Sequence, residues 1–218
     1  MPSLREVKEA YEEIAKIFDE SRTRPWKEIL DLLKFAPLDR VLDVGCGCGA
    51  NSLYIIDVLK PRHYIGIDVA VNMLRKLRQI RDVDVLAGDV RHLPLRDRCI
   101  SSIACVATLH HVLTREDRVR AIREMIRTLR RGGTILITVW AREVLQHLHN
   151  YVQDGDIVLI PWSWKLDGKK VMRPYHLYTH KELIEEILDT DHRTRILVYG
   201  PYRRGRLLNY VVLLKKCE

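Results

Sequence analysis

No stretch of the chain approaches the ~20 consecutive apolar residues that a membrane-spanning helix requires, and the N-terminus has no apolar segment of the secretory kind. A cytoplasmic protein with no membrane partner is the expectation. Internal repeats, low-complexity tracts and linker-like stretches are also missing, so all 218 residues read as one domain. With 47% hydrophobic residues, that length can bury a full core. The five cysteines offer no metal site. Cys46 and Cys48 stand too close for a zinc knuckle and no second pair follows, while Cys99, Cys105 and Cys217 are scattered, so reduced structural thiols are expected. Acidic residues are in the minority: 29 Asp and Glu against 37 Lys and Arg leave a net charge of +8. Such a field favours an anionic, phosphate-rich partner; a solvated surface laced with ion pairs is the bland alternative.

What is present begins with Arg40-Val41-Leu42-Asp43-Val44-Gly45-Cys46-Gly47-Cys48-Gly49. Val41, Leu42 and Val44 suit a buried parallel strand. The three glycines let the backbone turn sharply and approach a ligand, and a helix over residues 50–59 would aim its free N–H groups there. Gly45-x-Gly47-x-x-Ala50 fits the dinucleotide fingerprint. Gly45-x-Gly47-x-Gly49 after Asp43 instead resembles motif I of the class I S-adenosylmethionine (SAM) methyltransferases. Charge favours the second, because Asp43 would attract the ammonium and sulfonium of SAM and repel a pyrophosphate. A second strand (63–68) ends in Asp68, and a third (83–90) in Gly88-Asp89-Val90. A fourth (99–106) leads to His110-His111. A helix over 118–129 then turns through Arg131-Gly132-Gly133 into a fifth strand (134–140). Asp43, Gly45, Gly47, Gly49, Asp68, Val69, Asp89, Val90 and Val106 make up the expected SAM site. The fold class is α/β: a Rossmann-like, doubly wound, seven-stranded sheet with an antiparallel C-terminal hairpin. An N-terminal helical cap (1–36), a SAM-binding core (37–140), an insertion (141–178) and a last helix with C-terminal strands (179–218) divide the chain.

The segments outside the core carry the substrate expectations. A helix pattern runs over residues 11–18, and Arg22 and Arg24 flank its end. Pro25 then suits the first turn of a helix over 26–35. In the insertion, Pro161-Trp162-Ser163-Trp164 and Arg173-Pro174-Tyr175-His176-Leu177-Tyr178 flank Asp167-Gly168, a hairpin signal. Interleaved aromatic and cationic residues can stack a base and grip an anion. Arg203-Arg204-x-Arg206 adds a basic cluster between the last two strands. No Asn/Asp-Pro-Pro-Tyr motif follows the fourth strand, which argues against exocyclic-amine methylation. No thiol is placed as a nucleophile, which weighs against pyrimidine C5 methylation.

Tyr11-x-x-Ile14-Ala15, Arg24-Pro25-Trp26, Asp43-Val44-Gly45-Cys46-Gly47, His110-His111, Val139-Trp140-Ala141, Pro161-Trp162 and Tyr175-His176-Leu177-Tyr178 together resemble the tRNA wobble-uridine carboxymethyl methyltransferases. These comprise the yeast-type enzymes and the methyltransferase domain of the human AlkB-like homologue. The chain departs from the pattern at Cys48 and Pro174. The resemblance implies methyl esterification of the carboxylate of 5-carboxymethyluridine in tRNA, with a small zinc-binding activator pairing on the sheet edge at residues 83–86. A carboxylate is already ionised at pH 7 and needs no strong base. Arg24, Arg173, His110, His111 and His176 are therefore candidates to hold it or the neighbouring phosphates, with His111 toward SAM and His110 closing the site. Trp26, Trp140, Tyr175 and Tyr178 are the candidate substrate-binding aromatics. A small-molecule methyltransferase and a non-catalytic SAM-binding scaffold are the competing readings.

Overall fold

Apolar residues at alternate positions set the architecture, as seen in a computed structural model that describes residues 3–21, 24–162, 170–190 and 193–217, without the side chains of 16–21. The Phe18 side chain, Arg22, Ser163, Trp164 and the Asp167-Gly168 hairpin signal lie outside what is described. Two helices come first, α1 (Leu4–Ser21) and α2 (Lys27–Leu30), the second running into a 3-10 turn (Asp31–Phe35). Strands and helices then alternate through β1 (Arg40–Val44), α3 (Ala50–Tyr54), β2 (His63–Asp68), α4 (Val71–Ile80), β3 (Asp84–Ala87), β4 (Ile100–Val106), α5 (Arg115–Thr128) and β5 (Leu129–Trp140). The insertion holds β6 (Val152–Asp154), β7 (Ile157–Trp162) and β8 (Val171–His176), and α6 (Glu182–Leu188), β9 (Thr194–Arg204) and β10 (Leu207–Lys216) follow.

The main sheet has the order β3-β2-β1-β4-β5-β10-β9. Strands β1 to β5 are mutually parallel, and β10 is antiparallel to both of its neighbours. In β1, Leu42 and Val44 face a core shared with Ile122 and Met125 of α5, whereas Val41 faces Leu30, Leu33 and Ile55 on the other side. That two-sided burial is what a parallel strand between helical layers requires. Each such side chain contributes roughly 1.5–3 kcal/mol on leaving water. Because β1 to β5 run the same way, their C-terminal ends meet on one rim. There β10 starts, with Asn209 opposite Trp140.

Local details differ from the sequence expectation. Arg131-Gly132-Gly133 is not a turn but part of β5, where the register with β4 shifts between Ile100 and Ser102. A Cβ on Gly133 would lie 2.7 Å from the Ser101 carbonyl oxygen, so glycine lets the strand continue through the irregularity. The helix expected over 50–59 divides into α3 and a π turn (Ile55–Leu59), and that over 26–35 into α2 and its 3-10 extension. In the insertion, β6 joins β7 and β8 in a three-stranded antiparallel sheet. The β6–β7 hairpin, which the sequence expectation lacked, turns at Gly155, with φ +60.

Candidate active site

A cavity of about 560 Å³ opens on the rim at the C-terminal ends of the parallel strands. Its floor is the glycine loop. Gly45 sits at φ +70, and a Cβ there would collide with the Thr108 side chain, whose hydroxyl donates to the Val44 carbonyl at 3.0 Å. Gly49 begins α3 at φ +96, where a Cβ would meet Leu77 Cδ1 at 2.5 Å. Backbone and side chain brace the loop from β2: the N–H groups of Gly45 and Cys46 donate to the Ile67 carbonyl, and that of Gly47 donates to Asp68 Oδ2 at 3.0 Å. Asp68 Oδ1 accepts the Ala70 N–H at 2.9 Å. Burial pushes the Asp68 carboxyl above its ordinary value, against the pull of those backbone donors.

Gly45, Gly47, Gly49, Asp68, Val69, Asp89, Val90 and Val106 all line this cavity, but Asp43 does not. Only 2% exposed, Asp43 lies behind the loop, where its Oδ2 accepts the hydroxyls of Ser52 (2.7 Å) and Tyr64 (3.0 Å). Burial raises its carboxyl to about 6, with both hydroxyls opposing the rise. It thereby braces β1 against α3 and β2 and, contrary to the sequence expectation, does not face the cavity. Asp89 is held by Arg91, whose Nε and Nη2 donate at 2.8 and 2.7 Å. The loop end thus offers carboxylates and a Cβ-free cradle, a donor set that fits SAM. Asp68 suits ribose hydroxyls, and Asp89 suits an exocyclic amine.

The opposite wall is aromatic and comes from three distant segments. Tyr175 of β8 stacks on Trp140 of β5 (centroids 5.0 Å, 18°) and on His110 (5.2 Å, 23°). His110 Nδ1 accepts the Trp140 backbone N–H at 3.1 Å, so a neutral ring carries its proton on Nε2. His111 Nδ1 faces the Pro174 carbonyl at 3.1 Å and must donate to it. Its Nε2 then accepts the Tyr11 hydroxyl at 2.7 Å. Tyr11, Trp26, Arg24, His110, His111, Trp140 and Tyr175 all line the cavity. Among the described residues, the buried Trp140 indole N–H has no hydrogen-bond partner. Tyr11 arrives on α1, which is pinned across the site by Glu12. That carboxylate accepts the Val71 and Asn72 N–H groups at the start of α4, at 2.7 and 2.8 Å.

Three expected site residues are elsewhere. Strand alternation turns His176 away from Tyr175. Its Nε2 meets Glu182 Oε1 at 3.1 Å, and burial with the nearby Arg118 charge lowers its pKa to about 4. Tyr178 is fully buried in the main core, donating to Glu186 Oε2 at 3.0 Å under the Arg118 guanidinium. Arg173 is 3% exposed and lies behind the wall, against the rings of Trp162 (4.9 Å) and Tyr175 (5.3 Å), with the Tyr11 hydroxyl as its polar neighbour. Conversely, Tyr11, Thr108, Asn51 and Arg204 line the cavity although spacing singled out none of them as site residues. Two had a visible signal: Arg204 stood in a basic cluster, and Tyr11 opened the pattern that carries the family resemblance.

A family model described as a methyltransferase domain matches residues 41–133. A protein of Encephalitozoon cuniculi, provisionally named a methyltransferase, is 31% identical over 205 residues and covers 90% of either chain. The Mus musculus protein named tRNA (carboxymethyluridine(34)-5-O)-methyltransferase ALKBH8 is 36% identical over 140 residues, 64% of this chain. The chain spans only 20% of that protein's length and 38% of a second mouse relative's. Among solved structures, a Haloferax volcanii methyltransferase in complex with the Trm112 methyltransferase activator superimposes with a TM-score of 0.71. The match covers 95% of this chain and 98% of that one at 14% identity, a likeness of fold. Sheet order, glycine cradle and the near full-length relative converge: the chain belongs to the class I SAM-dependent methyltransferases.

Proposed function

We propose that this chain methylates the carboxylate of 5-carboxymethyluridine at the wobble position of tRNA. The observation that carries the reading is Arg173. Its guanidinium is buried, and among the described residues its Nε and Nη1 have no hydrogen-bond partner and no carboxylate pairs with it. A buried uncompensated cation costs several kcal/mol, and a guanidinium cannot shed its charge. An anionic acceptor seated against Tyr11 and Tyr175 would supply the missing negative charge. The name of the mouse relative supports the same acceptor.

SAM, when bound, supplies an electrophilic methyl group on a sulfonium. The chain's own residues then have three tasks. The glycine loop, Asp68 and Asp89 hold the donor; the Trp140–Tyr175–His110 stack seats a planar base and excludes water. Arg173 is a positioning residue, placing positive potential behind the Tyr11 hydroxyl so that the acceptor carboxylate is drawn to one spot. No proton has to be removed, consistent with a His111 ring whose two nitrogens are both engaged. The Trp140 indole N–H is a ready donor for a uracil carbonyl.

Incubation with SAM and tRNA bearing 5-carboxymethyluridine, followed by nucleoside mass spectrometry, should reveal the methyl ester. Absence of that ester overturns the reading. Arg173→Met should lower kcat at least tenfold and leave SAM affinity within twofold, whereas Arg173→Lys should recover part of the loss. A small zinc-binding activator on the β3 edge belongs to the same proposal. It is supported by the four-residue length and half-buried Val85 and Leu86 of β3, and by the Haloferax complex.

A further inference from the structure

The C-terminal hairpin reaches the cavity by folding back over the N-terminal segment. Gly205, at φ +59, turns β9 into β10 beside the rim where Asn209 pairs with Trp140. Just before the turn, Tyr202 donates to Glu28 Oε2 at 3.0 Å and lies 6.0 Å from the Trp26 ring. Arg204 then lies over the Trp26 ring, with its guanidinium carbon 4.8 Å from the ring centroid, and donates from Nη2 to the Arg24 carbonyl at 2.6 Å. Trp26 is itself anchored: its backbone N–H donates to Asn51 Oδ1 of α3 at 3.1 Å. Arg24 and Arg204 both line the cavity, and Arg203 and Arg206 lie exposed beside them. Two guanidiniums from segments 180 residues apart thus share one rim.

We propose that Arg204, with Arg24, forms an anion subsite for a backbone phosphodiester flanking the acceptor nucleotide. This rests on the reading of the acceptor as a residue within RNA. Three features support it. The Trp26 ring face and the Arg24 carbonyl hold the guanidinium in place, so little rotamer entropy remains to be lost when an anion binds. A guanidinium fork matches two phosphate oxygens, as a lysine ammonium does not. The pair also stands at the mouth rather than behind the aromatic wall, where Arg173 already provides for the acceptor's own carboxylate.

Equilibrium binding of an anticodon stem-loop RNA, read by fluorescence anisotropy over a salt series, tests the subsite without catalysis. Arg204→Met should weaken binding at least tenfold and reduce the slope of log Kd against log salt by about one. Arg204→Lys, which keeps a point charge but loses the fork, should fall between. SAM affinity by calorimetry should stay within twofold for both variants, and that also confirms a folded site. Unchanged RNA affinity overturns the subsite, and so does a matching loss of SAM affinity, which would place Arg204 on the donor. The substrate class is probed in parallel with the phosphate-free 5-carboxymethyluridine nucleoside. An equal fold-loss of methylation by Arg204→Met on nucleoside and stem-loop overturns the phosphate assignment in favour of the acceptor carboxylate. If wild type forms no methyl ester on either, the proposed reaction fails, while the anisotropy series still decides the subsite.

Discussion

Gly45 meets two constraints at once: a left-handed backbone that strains any other residue by about 1–2 kcal/mol, and a neighbour, Thr108, that occupies the space a Cβ would need. Gly45→Ala should therefore lower SAM affinity at least a hundredfold in calorimetry while the circular dichroism spectrum stays native. Adding Thr108→Gly should restore only part of the loss, because it relieves the collision but not the φ strain. Full affinity in the single variant would contradict this account. Glycine spacing made that position legible in the sequence, since only glycine serves such a bend. Asp43 was misread because its direction is decided by partners nine and twenty-one residues away, Ser52 and Tyr64. Spacing shows that an acid sits on a strand, not which side of the loop it faces.

The junction of β8 with α6 places a titrating group in the fold. His176 is packed among Glu182, Arg118 and Tyr178, with Asp156 contributing at longer range. Its folded pKa of about 4 lies below the ordinary 6.5. Below pH 6.5 the unfolded chain therefore takes up a proton that the folded chain resists, and stability is lost as pH falls from about 6.5 to about 4. The shift corresponds to about 3 kcal/mol over that window. Asp43 acts in the opposite sense: with its carboxyl raised to about 6, the folded chain protonates first and gains stability as pH falls through the same range. The informative quantity is thus the difference between wild type and His176→Gln. Urea midpoints at pH 7 and pH 4.5 should show the variant gaining on wild type as pH falls. Parallel pH profiles would refute the assignment. Elements of this kind were only partly legible. The aromatic and histidine content of β8 was plain, but assigning His176 and Tyr178 to the site ignored the alternation that turns neighbouring side chains to opposite faces.

At the scale of the molecule, the order of apolar strands and amphipathic helices was enough to foresee a doubly wound sheet, because short connections between alternating elements leave few other arrangements. How the site is assembled was less visible. Tyr11, Arg204 and Tyr175 lie far apart in the chain and meet only through the sheet order, which no local pattern encodes. The same topology leaves β3 and β9 as its two edges. Ile80, 50% exposed at the end of α4, lies next to β3 in the chain. Co-expression with the proposed activator should raise both soluble yield and methylation several-fold. A monodisperse, fully active chain on its own would remove the need for such a partner.

β10 follows every other strand in the chain yet lies inside the sheet, between β5 and β9. During synthesis at about 5–20 residues per second, the SAM-binding half can be complete while the flank of β5 still waits for its neighbour. A ribosome that stalls before residue 207 would release a product with an open, apolar strand edge, a template for aggregation. Arg204 would then have no hairpin to hold it against Trp26. The order of translation thus makes this rim of the reaction chamber close only after β10 has been made.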